Sequence, residues 1–207
     1  MDYINKLHSI HLDILKEIGN IGAGHAAAAL SALLNRAVDM KVPNVRVSSF
    51  DDMVELAGGS EREVVSISLR MEGDITGSMF FVLSLQQAET FTEKLLGQGK
   101  LSSDSESLRR SALQELGNIL SGTYLSALAD FTRLQVQPSV PELIIDMFGA
   151  IISYGLIEAS RYGDKAIMIE TILTELDEEE ASETTGYFFL LPDPPAFRTI
   201  FQALGAE

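Results

Sequence analysis

The residues with the most distinctive chemistry in this chain are a glutamate and an asparagine that occur twice at one spacing. Glu17 and Asn20 stand in Glu-Ile-Gly-Asn, and Glu115 and Asn118 stand in Glu-Leu-Gly-Asn. A neutral carboxamide is no general base, but it donates and accepts hydrogen bonds at once and so holds a water molecule. A carboxylate attracts a cation, most simply a lysine on a substrate. Such positioning is typical of phosphoryl transfer, and it indicates a macromolecular substrate that carries its own metal and reactive phosphate.

Each pair belongs to a longer pattern that steps by four, three and four residues, so its members lie on one line of a helix. The two site lines are Asp13, Glu17, Asn20 and Gly24 in the first copy and Ser111, Glu115, Asn118 and Gly122 in the second. A proline follows each asparagine by 23 residues, at Pro43 and Pro141. Asn is a poor residue in a helix interior, and Gly costs roughly 1 kcal/mol there relative to Ala. The retention of asparagine and glycine in both copies therefore favours a functional role for these residues.

Structural explanations compete with this one. A single Glu-x-x-Asn line is ordinarily a solvated polar face, and only the duplication favours function over that reading. Gly19 and Gly117, inside the motif, are equally explained by close packing of the helix against a sheet. Gly24 and Gly122 lie in the site lines, where a missing side chain lets another protein approach the helix backbone.

Other chemistries fit the sequence less well. His8 and His11 stand near Asp13, but no third metal ligand is placed beside them, and His25 is better explained as a packed helix residue. Asp13 and Glu17 form a carboxylate pair only in the first copy, since Ser111 replaces the aspartate in the second, which disfavours paired-carboxylate catalysis. We expect no cofactor or metal on this chain.

Composition excludes further classes of function. The 207 residues contain no cysteine, which removes disulfides and thiolate chemistry. A formal charge of −15 would repel a nucleic-acid backbone. No apolar run approaches the length of a membrane span, and the first residues do not resemble a secretion signal, so we expect a cytoplasmic protein without membrane insertion.

Hydrophobic periodicity predicts a helix, three strands and a helix in each half. The predicted helices are 4–34, 51–57, 86–96, 105–131 and 194–204; the predicted strands are 45–50, 64–69, 79–83, 143–145, 166–169 and 187–191. On the first helix, Ile10, Ile14, Ile18 and Ile21 form an apolar stripe that is predicted to pack. The segment 148–159 is left open between helix and strand, 101–106 is the predicted joint, and 175–183 is predicted to be an acidic hairpin tip that holds much of the extra length of the second copy.

The predicted fold class is α+β, in which duplicated helix-β-β-β-helix units are related by a pseudo-two-fold axis and share a merged antiparallel sheet. We expect one domain over 1–207, made of repeats at about 1–100 and 101–207, since each half alone is marginal in size. The two long helices would present two equivalent sites on the outside.

The repeated pattern of an acid or Ser, Glu, Asn and Pro resembles the signature of the CheC/CheX/FliY family of chemotaxis phosphatases, over the whole chain. The resemblance implies a two-layer fold of intertwined repeats and hydrolysis of the aspartyl phosphate of the response regulator CheY. By position, Asn20 and Asn118 would orient the attacking water, and Glu17 and Glu115 would contact the regulator's active-site lysine.

The same resemblance implies that Mg²⁺ belongs to the phosphorylated regulator, and that the receptor deamidase CheD is a second partner. Pro43 and Pro141 are expected to fix the exit from each long helix into its strand. The competing hypothesis is a non-catalytic adaptor that docks phosphorylated CheY or regulates CheD.

Overall fold

The computed structural model describes residues 8–96, 105–159, 165–176 and 182–205. Its helices are α1 Ser9–Leu34, α2 Phe50–Leu56, α3 Leu85–Leu96, α4 Ser105–Thr132, α5 Phe148–Ala159 and α6 Pro194–Ala203. Its strands are β1 Val38–Ser49, β2 Glu63–Gly73, β3 Gly77–Ser84, β4 Val136–Pro138, β5 Glu142–Met147, β6 Lys165–Glu175 and β7 Ser182–Pro192. The predicted start of the first helix at 4, most of the predicted joint at 101–106 and the hairpin tip at 177–181 lie outside the described residues.

The seven strands form one antiparallel sheet in the order β1-β6-β7-β3-β2-β4, and β5 also pairs with β2. The first strand of each half pairs with the hairpin of the other half: β1 joins β6, while β4 and β5 join β2. The two hairpins meet at the centre, where β3 pairs with β7. The merged antiparallel sheet and the intertwined duplication are therefore confirmed.

Helices cover both faces of the sheet. On one face, α1, α3, α4 and α6 enclose a core that includes Leu30, Phe91, Leu120, Phe188 and Ile200. On the other face, α2 and α5 enclose a smaller core that includes Met53, Phe148, Met168 and Phe189. Beyond the two layers implied by the family, α2 and α5 thus add a partial third layer. The segment 148–159 is a helix, and its first residue, Phe148, is completely buried.

Pro43 does not mark the exit from the first helix, so that prediction was wrong. The helix ends at Leu34, and Asn35 caps it in the left-handed region at φ 50°. Pro43 lies inside β1, where the pairing register with β6 shifts between Lys41 and Asn44. An outer strand tolerates proline at such an irregularity, because no ladder N–H is needed there. Pro141 likewise lies beyond a helix exit, between β4 and β5.

The predicted apolar stripe of α1 was wrong at its two ends. Ile10 is 62% exposed and Ile21 is 40% exposed, although Ile18 is buried. The packing face instead includes glycines and alanines among its leucines, and Gly22 brings α1 against α4. A Cβ on Gly22 would lie 3.0 Å from the Cα of Tyr124. A prediction based on large side chains alone misplaced part of the core face, since it overlooks the glycine at this helix contact.

Candidate functional site

The first site line lies on the open side of α1. Asp13, Glu17 and Gly24 are exposed and Asn20 is half-buried, while Leu15 on the opposite side of the helix is buried in the core. Within the described residues, Glu17 has no hydrogen-bond or ion-pair partner. Its carboxylate is therefore available to a cation on another molecule.

Asn20 is held by the backbone of the neighbouring strand. The N–H of Val42 donates to Oδ1 of Asn20 at 2.8 Å, and Nδ2 of Asn20 donates to the carbonyl of Val42 at 3.3 Å. Nδ2 also donates to the carbonyl of Lys16 at 3.1 Å. Val42 and Pro43 have no partner in the register of β1 with β6. The carboxamide of Asn20 thus satisfies a buried peptide that the sheet leaves unpaired.

The second site line lacks this connection. Ser111, Glu115 and Asn118 are exposed. Among the described residues, Asn118 makes one side-chain hydrogen bond, from Nδ2 to Oε2 of Glu115 at 3.4 Å. Val140, which corresponds to Val42 at the 98-residue offset of the motifs, is 86% exposed between β4 and β5, whereas Val42 is 1% exposed. The expectation of two equivalent sites was therefore wrong, because the strand that binds Asn20 is interrupted in the second copy.

The glycines of the motif fall into two groups. A Cβ on Gly24 or Gly122 would have no atom within 4 Å apart from the adjacent residues and backbone of its own helix, so packing does not require glycine at either position. A Cβ on Gly19 would lie 3.3 Å from Cγ2 of Val42, and one on Gly117 would overlap Ile67. The motif glycines therefore serve packing against the sheet, while the two glycines of the site lines leave the helix backbone accessible.

The histidines near the first line take part in the start of α1. Nδ1 of His11 accepts the backbone N–H of His8 at 3.0 Å, and the ring of His11 packs against Phe201 at 5.0 Å. No group of three or more His, Cys, Asp or Glu residues suited to a metal ion occurs in the part of the chain that the structure describes. Across that same part, no helix has the length and apolar character of a membrane span.

Sequence reasoning missed Val42, which binds Asn20 through its backbone and therefore leaves no side-chain signature. The constant spacing between each asparagine and its proline was the available signal, since Val42 immediately precedes Pro43. The structure brings Asn20 to Val42 but does not give Asn118 an equivalent strand contact. The second carboxamide is thus the one whose hydrogen-bonding groups are largely free for a substrate.

The described geometry has clear relatives among known proteins. The model of the CheC-like family matches residues 10–47 and 108–145, which contain both site lines and both prolines. The CheY-P phosphatase CheC of Bacillus subtilis is 48% identical over 100% of both chains. Thermotoga maritima FliY shares the fold with a TM-score of 0.72 at 19% identity, over 96% of this chain and 98% of that one. A CheX–CheY–BeF3–Mg complex from Borrelia burgdorferi has a TM-score of 0.50 at 14% identity, over 85% of this chain and 96% of that one.

Proposed function

The chain belongs to the CheC-like family, and from that premise we propose that it hydrolyses the aspartyl phosphate of the response regulator CheY. The observation that supports this most strongly is the helix-borne pair of Glu115 and Asn118, both exposed, together with the exposed Glu17 and half-buried Asn20 at the same spacing in the first half. A convex helix face suits a substrate that brings its own active site, because no enclosing pocket is needed around the reactive phosphate. The relative of 48% identity bears the name of a CheY-P phosphatase.

In the proposed reaction, water attacks the phosphorus atom and the bond from phosphorus to the aspartyl oxygen breaks. The products are inorganic phosphate and the free carboxylate of the regulator. Asn118 would accept a hydrogen bond from the water through Oδ1 and donate one through Nδ2, which fixes the water in line with the leaving oxygen. The carboxamide takes no proton, so its contribution is positional. Mg²⁺ on the regulator would neutralise the charge on the phosphoryl group.

Glu17 and Glu115 are proposed to bind the active-site lysine of the regulator. Each precedes its asparagine by three residues, so the two side chains are neighbours on the helix surface. In the second line, Oε2 of Glu115 accepts a 3.4 Å hydrogen bond from Asn118. This long contact would be exchanged for a lysine when the regulator binds, which releases Nδ2 of Asn118 toward the water.

We further propose that the second site supplies most of the activity. Within the described ranges, Asn118 has one side-chain contact to give up, with Glu115, whereas Asn20 has three hydrogen bonds, two of them to Val42. Breaking these would leave the buried Val42 peptide unpaired, which costs free energy before any catalysis begins. When the regulator binds at the first site, the carboxamide of Asn20 would therefore remain largely hydrogen-bonded to β1.

The deciding experiment follows the loss of phosphate from phosphorylated CheY with and without this chain. We expect the parent chain to shorten the lifetime of the aspartyl phosphate in proportion to its concentration. If the chain binds phosphorylated CheY but leaves that lifetime unchanged, the non-catalytic adaptor is the better account. The hydrogen bonds of Asn20 favour that alternative for the first site alone. We also propose that the chain binds CheD, as the family resemblance implies, and that it is cytoplasmic, as the sequence composition and first residues indicate.

A further inference from the structure

A large, exposed apolar side chain lies one helical turn before the first residue of each site line. Ile10 stands seven residues before Glu17, and Leu108 stands seven residues before Glu115, so each is two helical turns from its glutamate and on the same line. Ile10 is 62% exposed and Leu108 is 50% exposed. The internal duplication thus keeps an apolar residue at one corresponding position in both halves, on the face that points away from the core.

These apolar residues are continuous with the proposed catalytic groups. Ten residues separate Ile10 from Asn20, which corresponds to about 15 Å along the helix. That distance lies within the footprint of a typical protein interface, which buries about 800 Å² on each partner. Ile21, directly after Asn20, is 40% exposed and extends the apolar surface on the other side of the carboxamide. In the first copy, polar groups are therefore bracketed by apolar ones along a single exposed face.

We propose that Ile10 and Leu108 are apolar anchors for the receiver domain whose phosphate the site addresses, a proposal that rests on the proposed function. Glu and Asn on an open helix bring little apolar area, and hydrated polar contacts contribute little net affinity. Interfaces obtain most of their binding energy from a few residues that become fully desolvated in well-packed pockets. An apolar anchor at the same distance from each glutamate would fix the position of the regulator along the helix. In that position the phosphate of the regulator lies beside the asparagine.

The helices offer a matched control for this proposal. Leu33 and Phe131 also correspond to each other, and they are 36% and 48% exposed at the far ends of α1 and α4. Each stands 16 residues after its motif glutamate, which turns it by about 160° from the site line. They share the exposure and apolar character of Ile10 and Leu108 but lie on the opposite side of the helix. Any generic effect of removing exposed apolar surface would appear equally in both pairs.

The experiment measures binding of Mg²⁺-loaded, BeF3-activated CheY to the Ile10→Ala/Leu108→Ala protein and to the Leu33→Ala/Phe131→Ala protein. BeF3 stands in for the phosphoryl group and cannot be hydrolysed, so binding is separated from catalysis. We expect roughly tenfold weaker binding for the first variant, and a change of less than about twofold for the second. With phosphorylated CheY, the KM of the first variant rises by a similar factor while kcat is retained. Thermal unfolding of both variants checks that the fold is intact.

Equal binding of the activated regulator by the Ile10→Ala/Leu108→Ala protein and the parent would overturn the proposal. So would a parent chain that does not bind the regulator at all, or an equal loss in the control variant. Sedimentation analysis could also contradict the proposal. In that case the parent would self-associate, the Ile10→Ala/Leu108→Ala protein alone would be monomeric, and binding of the regulator would be unchanged. A parent chain that binds the regulator but does not hydrolyse its aspartyl phosphate would contradict the proposed function and leave the anchor proposal standing. The binding measurements would then still test whether Ile10 and Leu108 are anchors.

Discussion

The carboxamide of Asn20 pairs with the backbone of Val42 through two hydrogen bonds, of 2.8 Å and 3.3 Å. This geometry resembles the pairing of one more peptide with β1, at the point where the strand loses register with β6. The corresponding asparagine, Asn118, has no such partner among the described residues, and Val140 is exposed. The motif asparagine thus has a structural role in the first half, as Asn20, and is available to a substrate in the second half, as Asn118.

The two asparagines should differ in their contribution to stability. Replacing Asn20 by Ala leaves the N–H and carbonyl of the buried Val42 without partners, so we expect the free energy of unfolding to fall by about 2 kcal/mol. The same change at the exposed Asn118 should alter it by less than about 0.5 kcal/mol. Denaturant unfolding of the two single variants measures both values. Equal losses would show that the contact with Val42 carries no net stability.

The same difference predicts unequal catalysis. The Asn118→Ala protein should keep a minor share of the parent phosphatase rate, roughly a tenth, because the remaining carboxamide is bonded to the strand. The Asn20→Ala protein should keep most of that rate when it is assayed well below its melting temperature. Release of inorganic phosphate from phosphorylated CheY gives both rates. A larger loss in Asn20→Ala than in Asn118→Ala would reverse the assignment of the principal site.

Much of this architecture was predictable from the sequence because the duplication is strong. Two copies of Glu-x-Gly-Asn at a constant distance from a proline define both long helices, and the apolar runs define the central strands β3 and β7. The exchange of strands between halves was not implied by periodicity, since β1 and β6 are more than 100 residues apart in the chain. Ile10 and Ile21 were assigned to the core because they fit an apolar stripe, whereas Gly22 packs against α4, where an added Cβ would lie 3.0 Å from the Cα of Tyr124.

The difference between the two sites also could not be predicted from the sequence. Val42 and Val140 are the same residue type in the same position before a proline. Val140 lies in the break between β4 and β5, which both pair with β2, whereas Val42 lies inside the continuous strand β1. A motif therefore identifies which residues are candidates, while tertiary pairing determines which of them are free to act.

The glycines of the site lines should be replaceable without loss of stability. Gly24→Ala and Gly122→Ala introduce a methyl group that meets no other atom within 4 Å, so each should raise the free energy of unfolding by about 0.5–1 kcal/mol. Gly117→Ala is the control within the same motif, and it should destabilise the protein because its methyl group overlaps Ile67. Thermal unfolding of the three variants tests the contrast. A stability loss in Gly122→Ala comparable with that in Gly117→Ala would contradict the packing described above.

Larger side chains at the same two positions should weaken binding of the regulator. Gly24→Leu and Gly122→Leu together would fill the space through which a partner reaches the helix backbone, and we expect at least roughly tenfold weaker binding of BeF3-activated CheY. The alanine variants provide the control, since they change helix propensity with little added bulk. If the double leucine variant binds the regulator with unchanged affinity, the regulator does not contact the helices near Gly24 and Gly122.

Tyr124 predicts a specific loss of stability at high pH. Burial raises the pKa of Tyr124 to about 12, while its hydrogen bond to Thr171 at 3.0 Å opposes that rise. Because the pKa is higher in the folded than in the unfolded chain, this contribution to stability is complete below pH 10 and is lost as the pH rises toward 12. The loss should reach about 2 kcal/mol, and it should be absent from Tyr124→Phe. A parent and a Tyr124→Phe protein with parallel stability profiles from pH 9 to 12 would contradict the assignment.

The most direct test of the account is the rate of phosphate loss from phosphorylated CheY in the presence of saturating Asn20→Ala/Asn118→Ala protein. Saturation removes any effect of weaker docking, so the rate reports the contribution of the carboxamides to the chemical step. We predict that the bound regulator then loses its phosphate no faster than CheY alone, while the parent accelerates the loss under the same conditions. A double variant that binds the regulator and dephosphorylates it as fast as the parent would contradict the central claim.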